Sequence, residues 1–480
     1  MSKARLCLAL ACLPLLAGCL KMGPDFSPPA SPTPPPGAYQ HQAGGLGAYV
    51  DEDAWWKDLN DQALNALVEK ALARNYDLAK AAGRVLEVRA NLTQANAARW
   101  PQLNLNAAGQ RQRTQTTSPF TGQPQAVTID GYNLSLAASF ELDLWGRLAR
   151  SEEAVRADLL AEQENRRVVA QTVVAEVVAG YLEAQALERR IQVADKTITA
   201  FGHSVAFVDG RYQRGLVSSL DLHQARRSLA AAEATLPGLR QDLGIRQQRL
   251  MVLAGDYPRS QAPRTHASDY YRQPPTVPAG LPSELLLRRP DLRKAEAALH
   301  SLTARVGVAR AARFPRISLT GGFGYASTEL ADLFNPVSEL WSIAGGLSQS
   351  VFDAGNLAAG EAAARARLMQ GQAEYAKTVL GAFAEVEGAL LTRQEQIERR
   401  RLVVAALNEA VHTQEVAESR YLRGLTDYLT VLDAQRSRYG LEDTLVLTEL
   451  AVQTNYVTLH RVLGGGWASP PPLDAIAKDK

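Results

Sequence analysis

Tyr132-Asn133-Leu134-Ser135-Leu136-Ala137-Ala138-Ser139-Phe140-Glu141-Leu142-Asp143 is the stretch that decides the fold. Every second residue from Tyr132 to Leu142 is apolar, and those between are polar or small. That period belongs to a β-strand with one apolar and one polar face. Upstream, Leu103, Leu105 and Ala107 alternate with Asn104, Asn106 and Ala108. Ile317, Leu319, Phe323 and Tyr325 form a third such run, and Trp341, Ile343, Leu347 and Val351 a fourth. Pro119, Gly122 and Pro124 lie between the first two runs, and Asn335 and Pro336 between the last two; these are loop signals. Two strand pairs are expected.

Each pair is preceded by an amphipathic helix ending at an aromatic–proline step, Trp100-Pro101 and Phe314-Pro315, because proline disfavours helix at the residue before it. Each is followed by long helices. An apolar seam runs Val173, Val177, Gly180, Ala184, Leu187, Ile191, Ala194, Ile198, Phe201, Val205, Val208, in alternating steps of four and three. A second runs from Leu222 through Ala225, Leu229 and Ala232 to Leu250 and Leu253. Sustained heptads specify supercoiled helix-on-helix packing, and small seam residues permit close approach. The short turn between the seams implies an antiparallel hairpin, with Pro237 expected to bend or break its second helix. Val386, Leu390, Ile397, Val404, Leu407 and Val411, the Gly424 turn and then Leu429 onward repeat the pattern.

The recurrence extends to short motifs. Asn75-Tyr76-Asp77-Leu78 matches Arg289-Pro290-Asp291-Leu292, Ala98-Arg99-Trp100-Pro101 matches Ala312-Arg313-Phe314-Pro315, and Leu142-Asp143 matches Phe352-Asp353. Arg211-Tyr212-Gln213-Arg214-Gly215-Leu216 matches Arg420-Tyr421-Leu422-Arg423-Gly424-Leu425. Agreement in order and offset reads as an internal tandem repeat of roughly 210 residues.

Lys3 and Arg5, the apolar run Leu6 to Leu16, and Leu16-Ala17-Gly18-Cys19 have the layout of an exported protein with a bacterial lipobox. Processing would cut before Cys19 and lipidate it. Pro24 to Pro36 then reads as an extended tether that lets the body stand away from a bilayer. The boundaries expected are a signal peptide at 1–18, a lipid-anchored Pro-rich segment at 19–54, structural repeats at 55–270 and 271–467, and a C-terminal tail at 468–480. The fold class is mixed α+β, mostly α.

With Lys+Arg 52 against Asp+Glu 50, the 480-residue chain lacks the basic excess of a nucleic-acid protein. Its 3 Cys exclude a disulfide scaffold, and its 7 His are scattered without ligand spacing. No phosphate loop, His-Glu-x-x-His or Gly-x-Ser-x-Gly occurs, so neither an enzyme nor a cofactor nor a metal site is expected. Four amphipathic strands pose a physical problem. Open strand edges cannot sit in lipid, and four strands are too few to close a barrel. Either the strands form soluble sheets or several chains share one barrel; three chains would supply twelve strands and twelve long helices. The export signal and the polar second face favour sharing.

The chain resembles the TolC-like outer-membrane efflux channels, in the lipoprotein subgroup serving resistance-nodulation-division pumps. The resemblance rests on Gly23-Pro24-Asp25-Phe26, Trp55-Trp56 with Asp58, Leu59 and Asp61, and Phe140-Glu141-Leu142-Asp143-Leu144-Trp145-Gly146-Arg147. It continues through Gly215-Leu216-Val217-Ser218, Arg288-Arg289-Pro290-Asp291, Phe352-Asp353-Ala354-Gly355, Val431-Leu432-Asp433-Ala434-Gln435-Arg436 and Leu463-Gly464-Gly465-Gly466-Trp467. His460 departs from it, standing where the family more often has Tyr, and the tail beyond Trp467 is short. The resemblance implies a homotrimer with a shared twelve-stranded outer-membrane β-barrel, a twelve-helix periplasmic α-barrel and an equatorial domain. It implies a passive duct for drugs and other small molecules, partnered by a periplasmic adaptor and an inner-membrane pump. In the family the segment after the lipobox runs along the protein instead of standing free.

Residue by residue, the resemblance puts adaptor-docking tips at Gly215, Leu216 and Val217 and at Gly424, Leu425 and Thr426. It puts a periplasmic gate at Leu429, Asp433 and Arg436, which share one helical face, with Asp221 as a supporting ion-pair partner. Pattern alone reads the same residues as a core leucine beside a helix-surface Asp433–Arg436 pair worth ~0.3–0.5 kcal/mol. Two other functions fit the pattern: the exit duct of a type I protein-secretion system, and a non-channel coiled-coil envelope lipoprotein. The lipobox generates a direct prediction. Mass spectrometry of the mature protein should find an N-terminal Cys19 carrying a diacylglyceryl group and an N-acyl chain; an unmodified terminus or cleavage elsewhere would refute it.

Overall fold

The computed structural model describes residues 21–28, 37–41, 54–117, 122–260, 271–280 and 282–465. After a 3-10 turn at Trp55–Leu59 come α1 (Gln62–Arg74), α2 (Tyr76–Ala97), β1 (Gln102–Thr117), β2 (Pro124–Leu142), α3 (Arg147–Tyr212) and α4 (Ser219–Leu253). The same order then recurs as α5 (Pro282–Arg288), α6 (Pro290–Ala311), β3 (Arg316–Ser327), β4 (Glu339–Ser348), α7 (Asn356–Leu422) and α8 (Tyr428–Val462). Helices α3 and α7 have 66 and 67 residues, and α4 and α8 have 35 each. At ~1.5 Å rise per residue the longer pair extend ~100 Å. Among the described residues no helix is long and apolar enough to cross a membrane.

The chain forms two compact units, and each draws on both halves of the sequence. One contains the described part of residues 1–30 with Val85–Glu162 and Ala295–Tyr375; the other contains the described parts of 31–84, 163–294 and 376–480.

In the first unit the strands form one antiparallel sheet in the order β1-β2-β3-β4. Its register brings the apolar positions into line. Leu105, Leu136, Phe323 and Trp341 stand opposite one another in a single row across all four strands. Leu105 and Trp341 at the two ends of that row are each 72% exposed, and Leu103, Leu319, Ile343 and Leu347 on the same face are also open. The other face carries Asn104, Asn106, Ser135, Ser139, Ser318, Thr320 and Ser342. At Gly324 on that face a Cβ would lie 2.3 Å from the Leu134 carbonyl, so β2 and β3 require glycine there.

The β1–β2 hairpin runs well past the alternating stretch, pairing Thr117 with Pro124. On the face that carries the Leu105 row its outer half turns polar, with an Arg111–Asp130 ion pair at 3.4 Å, while Val127 and Ile129 lie on the other face. The fourth strand is shorter than expected: Val351 falls beyond Ser348 and is fully open. At the helix end of the sheet, Trp145 stacks on Phe314 at 4.9 Å and donates through Nε1 to the Pro315 carbonyl at 2.8 Å. The matched aspartates Asp143 and Asp353 each accept an amide of the following helix, from Ala149 and Leu357.

The segment after Cys19 corrects the tether expectation. Cys19 itself lies outside the described residues, as do 29–36, but Lys21–Phe26 is packed. Met22 N donates to the Trp145 carbonyl. Buried Arg150 donates to the Met22 carbonyl at 3.1 Å, to Asp25 at 2.6 Å and to Glu153 at 2.9 Å, and Phe26 stacks on His300 at 4.4 Å. A buried guanidinium with those acceptors holds the start of the segment against the body of the protein.

In the second unit the α3 and α4 seams face inward. Val177, Ile191, Phe201, Val208, Leu222, Ala225, Leu243 and Leu250 are buried. A Cβ on Gly180 would sit 3.0 Å from Leu250, so the small residue sets how near the helices come. Arg246–Glu183 at 2.5 Å and Arg226–Asp209 at 3.2 Å join the same two helices. Pro237 does not break α4, which runs unbroken through it. Pro237 and Glu233 are both exposed, so the carbonyl left without a donor faces water.

The repeat also recurs at the hairpin roots. Asn75, between α1 and α2, donates to the carbonyl of Leu253 at the end of α4 at 2.9 Å. Its counterpart Arg289, between α5 and α6, donates to the carbonyl of Val462 at the end of α8 at 3.0 Å. Asp291 and Glu385 also hold Arg289.

His460 lies in the core of this unit, stacked on Trp55 at 4.8 Å and edge-on to Tyr456 at 4.6 Å. Burial, with Arg393 nearby, lowers its pKa to about 3. The unfolded chain takes up that proton near pH 6.5 and the folded chain only near 3, so its contribution to stability is present above about 6.5 and is lost as pH falls. The loss is ~1.4 kcal/mol per pH unit across that window. Melting curves from pH 7 to 4 should therefore fall less steeply for His460→Phe than for the parent; equal slopes would show that His460 is not buried as a neutral ring.

Candidate functional site

Each long hairpin ends in the same turn. At the first tip, Gly215 N donates to the Tyr212 carbonyl at 2.8 Å and Leu216 N to the Arg211 carbonyl at 3.0 Å. At the second, Gly424 N donates to Tyr421 at 3.0 Å and Leu425 N to Arg420 at 2.9 Å. These are Schellman closures with glycine in the left-handed region, φ 69° and 73°. Leu216 and Leu425 follow the glycines and stand 59% and 62% exposed. Val217 and Thr426 are half-buried.

The returning helices start from side-chain caps. Ser218 and Asp221 form a capping box on α4: the Ser218 amide and hydroxyl both donate to Asp221 Oδ2, and the Asp221 amide donates to Ser218 Oγ. Asp427 caps α8, accepting from the Thr430 amide at 3.0 Å and hydroxyl at 2.7 Å. Those hydrogen bonds, the hydroxyl's first, hold the Asp427 carboxyl below the usual carboxylate range.

The first turns of α8 are divided between two faces. Tyr428, Val431 and Leu432 enter a core with Phe201, Val208, Leu222 and Tyr421. Leu429, Asp433 and Arg436 lie on the opposite face, all exposed, with Leu429 at 50%. Within one chain Leu429 is therefore not a core residue. Arg436 donates through Nη2 to Ser228 Oγ on α4 at 2.8 Å and does not pair with Asp433. The structure brings Leu429, Asp433 and Arg436 together but leaves Asp221 in the cap of the other tip.

Several residues escape the sequence reading. Arg190 on α3 makes a two-point bond to Asp443 on α8, at 2.7 and 3.1 Å, and Gln435 bonds Glu418 at 3.0 Å. Ser218-x-x-Asp221 did carry a signal, since the pattern is that of a capping box. Beside the tips a groove of about 650 Å3 is lined by residues including Ser204, Phe207, Tyr421, Tyr428 and Gln435.

An amphipathic sheet open on its apolar face, joined to helical hairpins of this length, defines the subunit of an envelope channel. The chain belongs to the family described as Outer membrane efflux protein, which matches residues 67–256 and 281–465. It is 34% identical to the cation efflux system protein CusC of Escherichia coli O6:H1, covering 96% of this chain and 98% of the relative. It is 31% identical to the probable outer membrane lipoprotein SilC of Salmonella typhimurium, again over 96% and 98%. The solved structure of the outer-membrane channel OprN superposes with a TM-score of 0.86 at 29% identity, covering 93% of this chain and 100% of that one. The protein is an outer-membrane channel of a tripartite efflux pump, working with an adaptor and an inner-membrane pump. Its relatives are efflux channels, which points away from an enzyme and favours efflux over the secretion duct and the coiled-coil tether.

The exposures generate a prediction. Leu429→Ala and Asp433→Ala should each cost under ~1 kcal/mol, because neither leaves a cavity in the chain. Asp221→Ala, which removes half of a capping box, should cost about 1 kcal/mol. Thermal melts check both; a loss of several kcal/mol at Leu429 would return it to a core.

Proposed function

We propose that three copies of this chain close one twelve-stranded barrel and one twelve-helix barrel, forming a passive exit duct for drugs and other small molecules. The observation that carries this reading is the sheet itself. Among the described residues strands β1 and β4 are edges with no further partner, and the apolar rows between them lie open. Lipid accepts apolar side chains but no unpaired backbone, so the edges must be met by other copies. The polar face then lines the duct with amides and hydroxyls. The recurring element order supports a tandem duplication with repeats near 55–270 and 271–467.

In the second unit, Leu429, Asp433 and Arg436 would form stacked rings under threefold symmetry. A ring of leucines closes a passage by excluding water, and a ring of carboxylates repels anions. Arg436, tied to Ser228, holds α8 against the first hairpin. The tips at Gly215-Leu216-Val217 and Gly424-Leu425-Thr426 present exposed leucines to the adaptor, and the groove beside them gives a helical partner room. The inner-membrane partner is a resistance-nodulation-division pump. Cys19 carries the lipid anchor in the outer membrane.

Two measurements on the purified protein test this reading. Its mass in mild detergent should be three times that of the mature chain. In planar bilayers the Leu429→Ala/Asp433→Ala double variant should conduct more than the parent, with an unchanged melting temperature. A stable monomer that retains its sheet would overturn the shared barrel. Unchanged conductance in an intact trimer would remove the gate.

A further inference from the structure

The loop between β3 and β4 carries apolar side chains for which the duct reading has no use. Helix α6 leads into β3 and β4 leads out to α7, so residues 328–338 lie at the end of the sheet away from the helices. The loop is well built. It contains 3-10 turns at Leu330–Asp332 and Pro336–Ser338. Asn335 Nδ2 donates to Asp332 Oδ1 at 2.7 Å, and Ser338 Oγ donates to the Asp332 carbonyl at 2.8 Å. A loop so held in water would ordinarily display polar residues. This one displays Leu330, Phe334 and Val337, at 63%, 68% and 91% exposure.

Ring contacts fix the side on which Phe334 lies. Phe334 meets Tyr325 edge-on at 5.6 Å, and Tyr325 meets Phe323 at 5.9 Å. Phe323 stands in the apolar row between Leu136 and Trp341. A line of aromatic rings thus runs unbroken from the open apolar face into the loop. The other hairpin behaves differently: on that face β1 and β2 continue as a polar ribbon, with Arg111 and Asp130 on the side where β3 and β4 have already turned. The second hairpin stops where its apolar face stops, and its loop extends that face instead of leaving it.

We infer that the β3–β4 loop is seated in the headgroup–acyl boundary of the bilayer, as a membrane contact beyond the strands. Aromatic and aliphatic side chains at that depth bury apolar area while the hydrogen-bonded turns keep the backbone satisfied. The inference rests on the proposed reading that the apolar face of the sheet meets lipid, and the experiment separates the two.

Nitroxide labels are placed on Phe323→Cys, Phe334→Cys, Val337→Cys and Thr116→Cys variants of the full protein in phospholipid vesicles, with the parent protein as the labelling blank. Collision with oxygen, which partitions into lipid, is compared with collision with a water-soluble nickel chelate. The expected result is a ratio favouring oxygen at 323, 334 and 337 and favouring the chelate at 116. Oxygen at 323 but chelate at 334 and 337 overturns the loop inference and leaves the sheet reading standing. Chelate at 323 overturns both. Exclusion of both reagents from 334 and 337, with dipolar broadening between labels, assigns the loop to a second copy of the chain and overturns the inference. Val337 touches so little that its variant retains the loop even if Phe334→Cys disturbs it.

Discussion

Every strand of the sheet has an apolar side that the described residues leave at least partly open. Four strands in register align those sides into continuous rows, so the sheet has one face unsuited to water and two edges unsuited to lipid. Those demands pull in opposite directions, and no rearrangement within one chain satisfies both. The proposed trimer is the arrangement in which the apolar face meets hydrocarbon and each edge meets another copy. The corner at Trp145, Phe314 and Pro315, and the aspartates at the starts of α3 and α7, tie this sheet to helices that need water.

The helices obey a different rule. Their heptads bury a narrow apolar stripe interrupted by small residues, and Gly180 against Leu250 shows how closely the backbones approach there. A narrow stripe leaves most of each helix surface free, and the candidate site uses that freedom. Tyr428, Val431 and Leu432 hold the start of α8 in a core, and the same rigid turns present Leu429, Asp433 and Arg436 outward. The tips are positioned by backbone closure and caps together with the rings of Phe207, Tyr421 and Tyr428 packed just behind them.

Much of this was legible in the sequence for identifiable reasons. Period two at Tyr132–Leu142 is visible because one face is apolar; the outer halves of β1 and β2 escape the same test because that face turns polar there and Val127 and Ile129 fall on the opposite one. The heptads and the paired Arg-Tyr-x-Arg-Gly-Leu motifs announced the hairpins and their turns. The break allowed for at Pro237 does not occur, since a proline on the solvent face of a well-packed helix costs less than one in its seam. The docking of the start of the Pro24–Pro36 segment was not legible either, because its fixing group, Arg150, lies 125 residues from Asp25. The bonds Arg190–Asp443 and Arg436–Ser228 span 253 and 208 residues, and local pattern cannot name such partners.

The hairpin roots, matched in position, differ in chemistry. At the first, Asn75 donates a neutral amide and the charge sits apart, in the Lys70–Asp256 ion pair; at the second, Arg289 supplies both, through a guanidinium that also grips Asp291 and Glu385. Burial works against the charge on Arg289, but the two carboxylates outweigh it and raise its pKa. Charge-assisted bonds are roughly twice as strong as neutral ones. A single residue thus carries the second root while the first divides the task, so one substitution at Arg289 would unfasten its arm, whereas the arm rooted at Asn75 would still be held by Lys70 and Asp256.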